Sequence, residues 1–146
     1  MDPLPLQALR AQRARIRARW ETFLRLEKVT TPLANPDTLI FGLNRSLNEI
    51  FAALRSAGAP STQLEAAKDC ACGCNPFRAY YKAGEQALLE ALVLSQVERA
   101  PAPEERDREF GAVKAVVASL AQRDLEAFAR ICQRPPSGTA AMPKTR

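Results

Sequence analysis

The sequence predicts an all-α protein: an antiparallel four-helix bundle with a cysteine-bearing loop before its third helix and a disordered C-terminal tail. Asn or Asp directly precedes proline at three places, Asp2-Pro3, Asn35-Pro36 and Asn75-Pro76. This pair is typical of a helix start, because the side-chain oxygen accepts an N-terminal amide hydrogen and proline has no N–H to leave unpaired. Between these signals apolar residues recur at helical spacing, and no alternating strand pattern competes.

The signals divide the chain into four long predicted helices. The first covers about residues 5–29, and the second covers about residues 37–57 before a Gly and a Pro that would end it. The third covers about residues 76–99. The fourth covers about residues 104–132, and its start is marked by Pro103 and two glutamates, which suit the positive end of the helix dipole.

The apolar stripes of these helices are expected to form the core, because amphipathic helices of this length bury their apolar faces against one another. Trp20, Phe51, Leu88 and Phe128 each fall on such a stripe, so we expect all four to be buried. Gly84 lies within the third predicted helix, where it costs about 1 kcal/mol relative to Ala. Either a packed neighbour or a ligand is therefore expected to approach closely at this position.

The 146 residues correspond to one domain, predicted to span residues 1–133, followed by a disordered tail over residues 134–146. The net charge is +5, and no stretch approaches the roughly 18 apolar residues that cross a bilayer. The N-terminal region has no apolar core of the kind found in secretory signals. The expected location is therefore the cytoplasm, without membrane association and with reduced thiols.

The chain contains no histidine. This excludes Ser-His-Asp and Cys-His catalysis, zinc sites with histidine ligands and haem with a proximal histidine. Any chemistry must therefore depend on Cys, Asp, Glu, Lys, Arg or Tyr.

Three of the four cysteines, Cys70, Cys72 and Cys74, lie within five residues, and the fourth is Cys132. The third and fourth predicted helices are joined by a short connection, so they should run antiparallel. Both rise about 1.5 Å per residue, so the end of the fourth returns to the level at which the third begins. The sequence therefore predicts that all four thiols converge at one end of the bundle.

Four thiolates satisfy tetrahedral Zn²⁺ or an iron–sulfur cluster, and we predict such a site at Cys70, Cys72, Cys74 and Cys132. Gly73 allows a tight turn, and the helix start that follows is expected to lower a nearby thiol pKa. If the helices alternate in direction, the arginine-rich first helix lies at the same end. The Cys-x-Cys-x-Cys spacing departs from the usual zinc-knuckle pattern. Redox-active thiols and buried structural cysteines therefore remain open as alternatives.

Three functional hypotheses follow. The first is a non-catalytic accessory or regulatory protein with a protein partner and a cysteine-based metal or redox-sensing site. The second is a thiol-dependent redox enzyme or carrier with Cys72 or Cys74 as nucleophile. The third is an interaction module that binds an acidic protein or nucleic acid through the basic first helix. That helix carries five closely spaced arginines, of which the first, second and fourth share one face: Arg10, Arg13, Arg15, Arg17 and Arg19.

The segment from Arg19-Trp20 to Phe23-Leu24, followed by Ala34-Asn35-Pro36 and the second predicted helix, resembles the helical N-terminal domain of RsbRD-type sensor and stressosome proteins. In that family an Asn-Pro pair opens the second helix, and a later helix opens with Ser-Pro where this chain has Asn75-Pro76. The resemblance spans about residues 16–99. It implies a sensory module of the kind that precedes a signalling domain.

Overall fold

The structure is a computed structural model that describes residues 1–27, 32–56, 64–66 and 68–132; the predicted tail lies outside these ranges. The described residues are all-helical and include no strand, which confirms the predicted class. Six α-helical segments are present in these ranges: α1 (Pro3–Ala11), α2 (Arg13–Leu26), α3 (Pro36–Leu39), α4 (Leu43–Arg55), α5 (Phe77–Arg99) and α6 (Pro103–Ile131). Short 3₁₀ turns occupy Pro32–Ala34, Ile40–Gly42 and Leu64–Ala66.

The third and fourth predicted helices correspond closely to α5 and α6. Between them Ala100 adopts a left-handed conformation, with φ of 47°, and its amide donates to the carbonyl of Gln96. The α6 helix starts as predicted at Pro103, where the Glu105 carboxylate accepts the amide hydrogen of Ala102. The short turn makes α5 and α6 an antiparallel pair, and the two helices pack closely against each other.

The first predicted helix is divided at Gln12 into α1 and α2, a break that the sequence did not predict. The Gln12 amide hydrogen bonds to the carbonyl of Leu9, and its side-chain amide donates to the carbonyl of Ala91 on α5, 3.0 Å away. This long-range hydrogen bond lies at the interruption of the helix. Leu9 and Ile16 lie on opposite sides of the break, and both side chains are fully buried.

The second predicted helix is also divided, into α3, the Ile40–Gly42 turn and α4. Its start agrees with the prediction, because the Asn35 side chain accepts the amide hydrogen of Asp37 at 3.0 Å. The division lies in a single turn, and α4 carries the long apolar stripe that was predicted for this region.

Helix α2 runs antiparallel both to α5 and to the α3–α4 region. Along α5, Gln12 contacts Ala91 and the Trp20 indole N–H donates to the carbonyl of Tyr80. Along the α3–α4 region, the contacts again run in opposite order: Arg13 donates to the carbonyl of Asn44, and Arg25 pairs with Asp37. It follows that α4 and α5 are parallel to each other.

The parallel pair differs from the alternating up-and-down order assumed from the sequence. Short connections enforce antiparallel neighbours, but the connection between α4 and α5 is long enough to return along the bundle. The expected position of the arginine-rich helix start is therefore wrong. The arginine-rich start of the first helix lies beside the C-terminal halves of α4 and α5, whereas the cysteine loop precedes the start of α5. The arginines therefore do not lie at the cysteine end.

The apolar stripes form one core, as expected, with Trp20 and Leu88 fully buried and Phe51 only 3% exposed. Gly84 lies against the Trp20 ring, so the close neighbour at this glycine is a packed side chain. Phe128 is the exception among the four predicted core residues. It is half-buried and borders a cavity near the end of α6.

None of the helices in the described ranges is long and apolar enough to span a membrane.

Candidate metal centre

The thiols of Cys70, Cys72 and Cys132 form one cluster, with all three Sγ atoms within 4.8 Å of one another. The Cys70 and Cys72 sulfurs are 2.8 Å apart, and the Cys72 and Cys132 sulfurs are 3.2 Å apart. None of the four cysteines, all of which are described, forms a disulfide. The prediction that Cys132 lies beside the cysteine loop is therefore confirmed.

Cys72 is the buried centre of this thiol cluster, whereas Cys70 and Cys132 are half-buried. Cys132 is the C-terminal cap of α6, and its amide donates to the carbonyl of Phe128. Two chain regions far apart in sequence thus contribute the three sulfurs. The antiparallel α5–α6 pair brings them together, because equal rises along both helices return α6 to the level of the loop.

Asn75 links the same two regions. Its side-chain oxygen accepts the amide hydrogen of Phe77 at 3.1 Å, which caps the start of α5. Its side-chain nitrogen donates to the carbonyl of Leu125 on α6 at 3.2 Å. The side chain is buried, so both hydrogen bonds are shielded from water. The sequence indicated the cap, but the bond to α6 depends on the tertiary structure and had no sequence signal.

The loop before the cluster is anchored by Arg78, which lies in the first turn of α5. Its guanidinium pairs with Asp69 at 3.3 Å and donates to the carbonyl of Leu64, also at 3.3 Å. The other Asp69 oxygen accepts the amide hydrogen of Cys70 at 2.7 Å. Leu64 is buried in the core. These contacts hold the backbone of Cys70 near the start of α5.

Cys74 is not one of the three clustered thiols, although the sequence predicted it as a ligand. Gly73 has φ of 68°, and the turn directs the Cys74 thiol toward the carbonyl of Cys72, with the sulfur 3.5 Å from that oxygen. The Cys74 amide donates to the Cys72 sulfur at 3.4 Å. Cys74 therefore borders the thiol cluster and supplies it with a backbone donor.

Burial raises the pKa of the Cys70 thiol to about 12, and the hydrogen bond with Cys72 adds to this effect. The lowered pKa predicted from the helix dipole concerned a thiol next to the start of α5, so the rise at Cys70 does not test that prediction. Cys70 precedes that helix by several residues, and the dipole effect is confined to the first turn. Loss of solvation dominates instead, because it disfavours the charged thiolate.

A cavity of about 440 Å³ lies beside the last turns of α6, close to the thiol cluster. Phe77, Tyr80 and Phe128 contribute aromatic rings to its lining, and Ser46 shares a hydrogen bond of 2.8 Å with the Tyr80 hydroxyl. Burial raises the pKa of Tyr80 to about 12, so this hydroxyl is neutral at physiological pH. Arg123, also in the lining, is paired with carboxylates.

Comparison with protein-family models, with curated proteins and with solved structures gives no match. The resemblance to RsbRD-type sensor domains therefore stays a prediction. A functional proposal therefore depends on the geometry of the thiol cluster.

Proposed function

We propose that this protein is a non-catalytic regulatory or accessory protein whose cysteines bind one zinc ion. The observation that carries the proposal is the convergence of the Cys70, Cys72 and Cys132 sulfurs within 4.8 Å. Thiolates are soft ligands that suit Zn²⁺, and the absence of histidine leaves sulfur as the natural donor set.

The spacing of the sulfurs favours a single ion over an iron–sulfur cluster. A Zn–S bond of about 2.3 Å in a tetrahedral site places neighbouring sulfurs roughly 3.8 Å apart. The separations of 2.8 and 3.2 Å are shorter than this. Small outward movements of the side chains would therefore suffice for one ion, whereas a multi-iron cluster needs its ligands spread around a larger body.

Cys74 is the proposed fourth ligand, because it is adjacent in the chain to the cluster and its amide already contacts the Cys72 sulfur. A tetrahedral site with four protein ligands is closed to substrate, which is the arrangement of structural zinc sites. This argument supports a non-catalytic role. The ion would clamp the end of α6 to the loop before α5, so metal loading would control the order of this end of the bundle.

The test is elemental analysis and optical absorption of protein purified without air. We expect one zinc per chain and, after replacement by Co²⁺, the absorption of a tetrahedral cobalt–thiolate site. Cys72→Ser and Cys132→Ser should abolish tight binding, and Cys74→Ser should change the cobalt spectrum by replacing one sulfur. A brown iron chromophore would contradict the zinc assignment, and protein without metal after reconstitution would contradict the proposal.

A second function, redox sensing, is favoured by the 3.2 Å separation of the Cys72 and Cys132 sulfurs. A peroxide could convert these thiols to a disulfide: the thiols give up two electrons and two protons, which reduce hydrogen peroxide to two water molecules, or an alkyl hydroperoxide to an alcohol and one water molecule. Mass spectrometry of peroxide-treated protein separates the two roles. A Cys72–Cys132 crosslink that forms in zinc-loaded protein and is reversed by a thiol reductant would support sensing, and resistance to oxidation would support a structural ion.

A further inference from the structure

A second cavity, of about 490 Å³, lies at the other end of the bundle from the cysteines. Three helical segments build it: α1 contributes Arg10, α2 contributes Arg13 and α4 contributes Arg55. Asn48, Phe51 and Ala52 complete its lining, which contains no acidic residue within the part of the chain that the structure describes. The cavity is called the arginine pocket below.

The three arginines of the arginine pocket form no ion pair within the described residues. Other arginines of the same region are compensated: Arg17 pairs with Glu21, and Arg19 pairs with Glu90. Like charges that converge without a counter-charge repel one another and destabilise the fold. An anion in the arginine pocket would remove this repulsion.

Two of the guanidiniums are held in place. Arg13 donates to the carbonyl of Asn44 at 3.1 Å, which fixes the side chain across two helices. The guanidinium carbons of Arg10 and Arg13 lie 6.0 and 5.9 Å from the centroid of the Phe51 ring. Each approach is within the range of a cation–π interaction. The ring itself is 3% exposed, so it forms the floor beneath the arginines and offers no open face on which a nucleobase could stack.

We propose that the arginine pocket binds a compact phosphate-bearing small molecule, such as a phosphate monoester or a diphosphate. The planar guanidinium matches two phosphate oxygens at once, and these charge-assisted hydrogen bonds are stronger than neutral ones. The Asn48 amide adds a neutral donor in the lining. This site is independent of the thiol cluster.

The distribution of charge favours a compact anion over a nucleic acid. An extended phosphate backbone would follow a continuous basic stripe. Here Arg17 and Arg19 are engaged with carboxylates, and the three uncompensated charges of the arginine pocket come from three separate segments that meet in one cavity. Such convergence fits a small ligand with concentrated charge.

The test is titration calorimetry with inorganic pyrophosphate, using the full chain with its metal content as purified. The informative variant is R10Q/R55Q, which removes two charges and leaves Arg13 with its bond to Asn44. The matched control is R15Q/R106Q, which removes the same charge from two exposed arginines outside the arginine pocket. Circular dichroism and thermal melting verify that both variants fold as the unmodified protein does.

We expect saturable binding of pyrophosphate that weakens at least about tenfold in R10Q/R55Q and less than about twofold in the control. If pyrophosphate only chelated a metal ion of the protein, its measured affinity would be the same in R10Q/R55Q as in the unmodified protein. The variant therefore distinguishes metal chelation from binding in the arginine pocket. A nucleoside diphosphate should bind no more tightly than pyrophosphate, because the buried Phe51 ring offers no open face for a nucleobase. Equal loss in both variants, absence of binding at millimolar pyrophosphate, or preference for a single-stranded oligonucleotide would overturn the proposal.

Discussion

Gly84 shows how a single position can control the packing of the largest core side chain. A Cβ atom at this glycine would lie 2.4 Å from Cζ2 of Trp20, well inside van der Waals contact. The Trp20 ring cannot easily retreat, because its N–H donates to the carbonyl of Tyr80 and the side chain is fully buried. The glycine therefore lets α2 and α5 approach closely around the indole.

Gly84→Ala should destabilise the protein by about 2–3 kcal/mol, because the clash exceeds the gain in helix propensity of about 1 kcal/mol. Gly111→Ala is the matched control: it lies inside α6, and nothing stands within 4 Å of its added Cβ. That variant should be stabilised by about 0.5–1 kcal/mol. Chemical denaturation of both variants measures the contrast, and equal effects would refute the packing argument.

Glu109 is a buried acid at the opposite end of α5 and α6 from the cysteines. Its carboxylate receives two hydrogen bonds from Arg99, at 3.0 and 2.8 Å, and one from Gln96 at 2.8 Å. Burial by itself raises the pKa of Glu109, but the hydrogen bonds from Arg99 and Gln96 outweigh it and the pKa is lowered. A lowered folded-state pKa means that the unfolded chain binds the proton more readily.

The contribution of Glu109 to stability should therefore be fully present above the unfolded pKa of about 4.3 and should be lost as the pH falls through the lower folded-state value. Glu109→Gln should cost about 2 kcal/mol at neutral pH, because it leaves Arg99 without its ionic partner. Denaturation of both proteins between pH 7 and pH 3 measures the difference. A difference that grows on acidification would contradict the assigned direction.

At the scale of the helices, local signals and long-range contacts determined different features. Pro103 and Asn35 marked helix starts that the structure contains, because a cap depends on residues next to it in the chain. The break at Gln12 could not be predicted, because the partner of its side chain is Ala91 on another helix. The sequence therefore predicted where helices begin, but it did not predict where a helix is interrupted.

Asn75 combines both kinds of interaction, which makes them separable by mutation. Asn75→Ala removes the cap on Phe77 and the bond to Leu125 and should cost about 2–3 kcal/mol. Asn75→Ser keeps a capping oxygen but is too short to reach α6, so about half of this loss is expected. Thermal melting ranks the three proteins. If Asn75→Ser equals the unmodified protein, the bond to α6 contributes nothing to stability.

For the molecule as a whole, the parallel arrangement of α4 and α5 decides what lies near the thiol cluster. The long connection between these helices carries no signal that sets their relative direction, so the sequence could not place the arginines. The short α5–α6 turn did set a direction, and this is why Cys132 was correctly placed beside Cys72. The arginine pocket could not be predicted, because Arg55 comes from a different segment than Arg10 and Arg13.

The sequence predicted only part of the composition of the thiol cluster. Spacing indicated that Cys70, Cys72 and Cys74 are neighbours, but the direction of each thiol depends on the turn at Gly73. A residue pattern describes which side chains are close along the chain. It does not describe how a tight turn orients them.

Removal of the proposed metal should affect one end of the molecule only. Chelation, or Cys72→Ser, should increase amide hydrogen exchange at residues 64–74 and in the last turn of α6, because metal binding energy stabilises the segments that supply the ligands. The melting temperature should fall by several degrees. Amides in α1 and in the middle of α5 should keep their protection, since the apolar core contains no ligand. A uniform increase in exchange would contradict a local clamp.

The closeness of Cys72 and Cys132 has a mechanical consequence. An ion held by both residues would close the α5–α6 hairpin into a ring, so a force pulling on chain outside it could not extend the residues between them. An extended chain spans about 3.3–3.6 Å per residue, so the ring would hide roughly 200 Å of length from that force. In an optical trap, loaded protein should unfold with a shorter extension than metal-free protein. A missing length of this size would show that the ion joins the cysteine loop to Cys132.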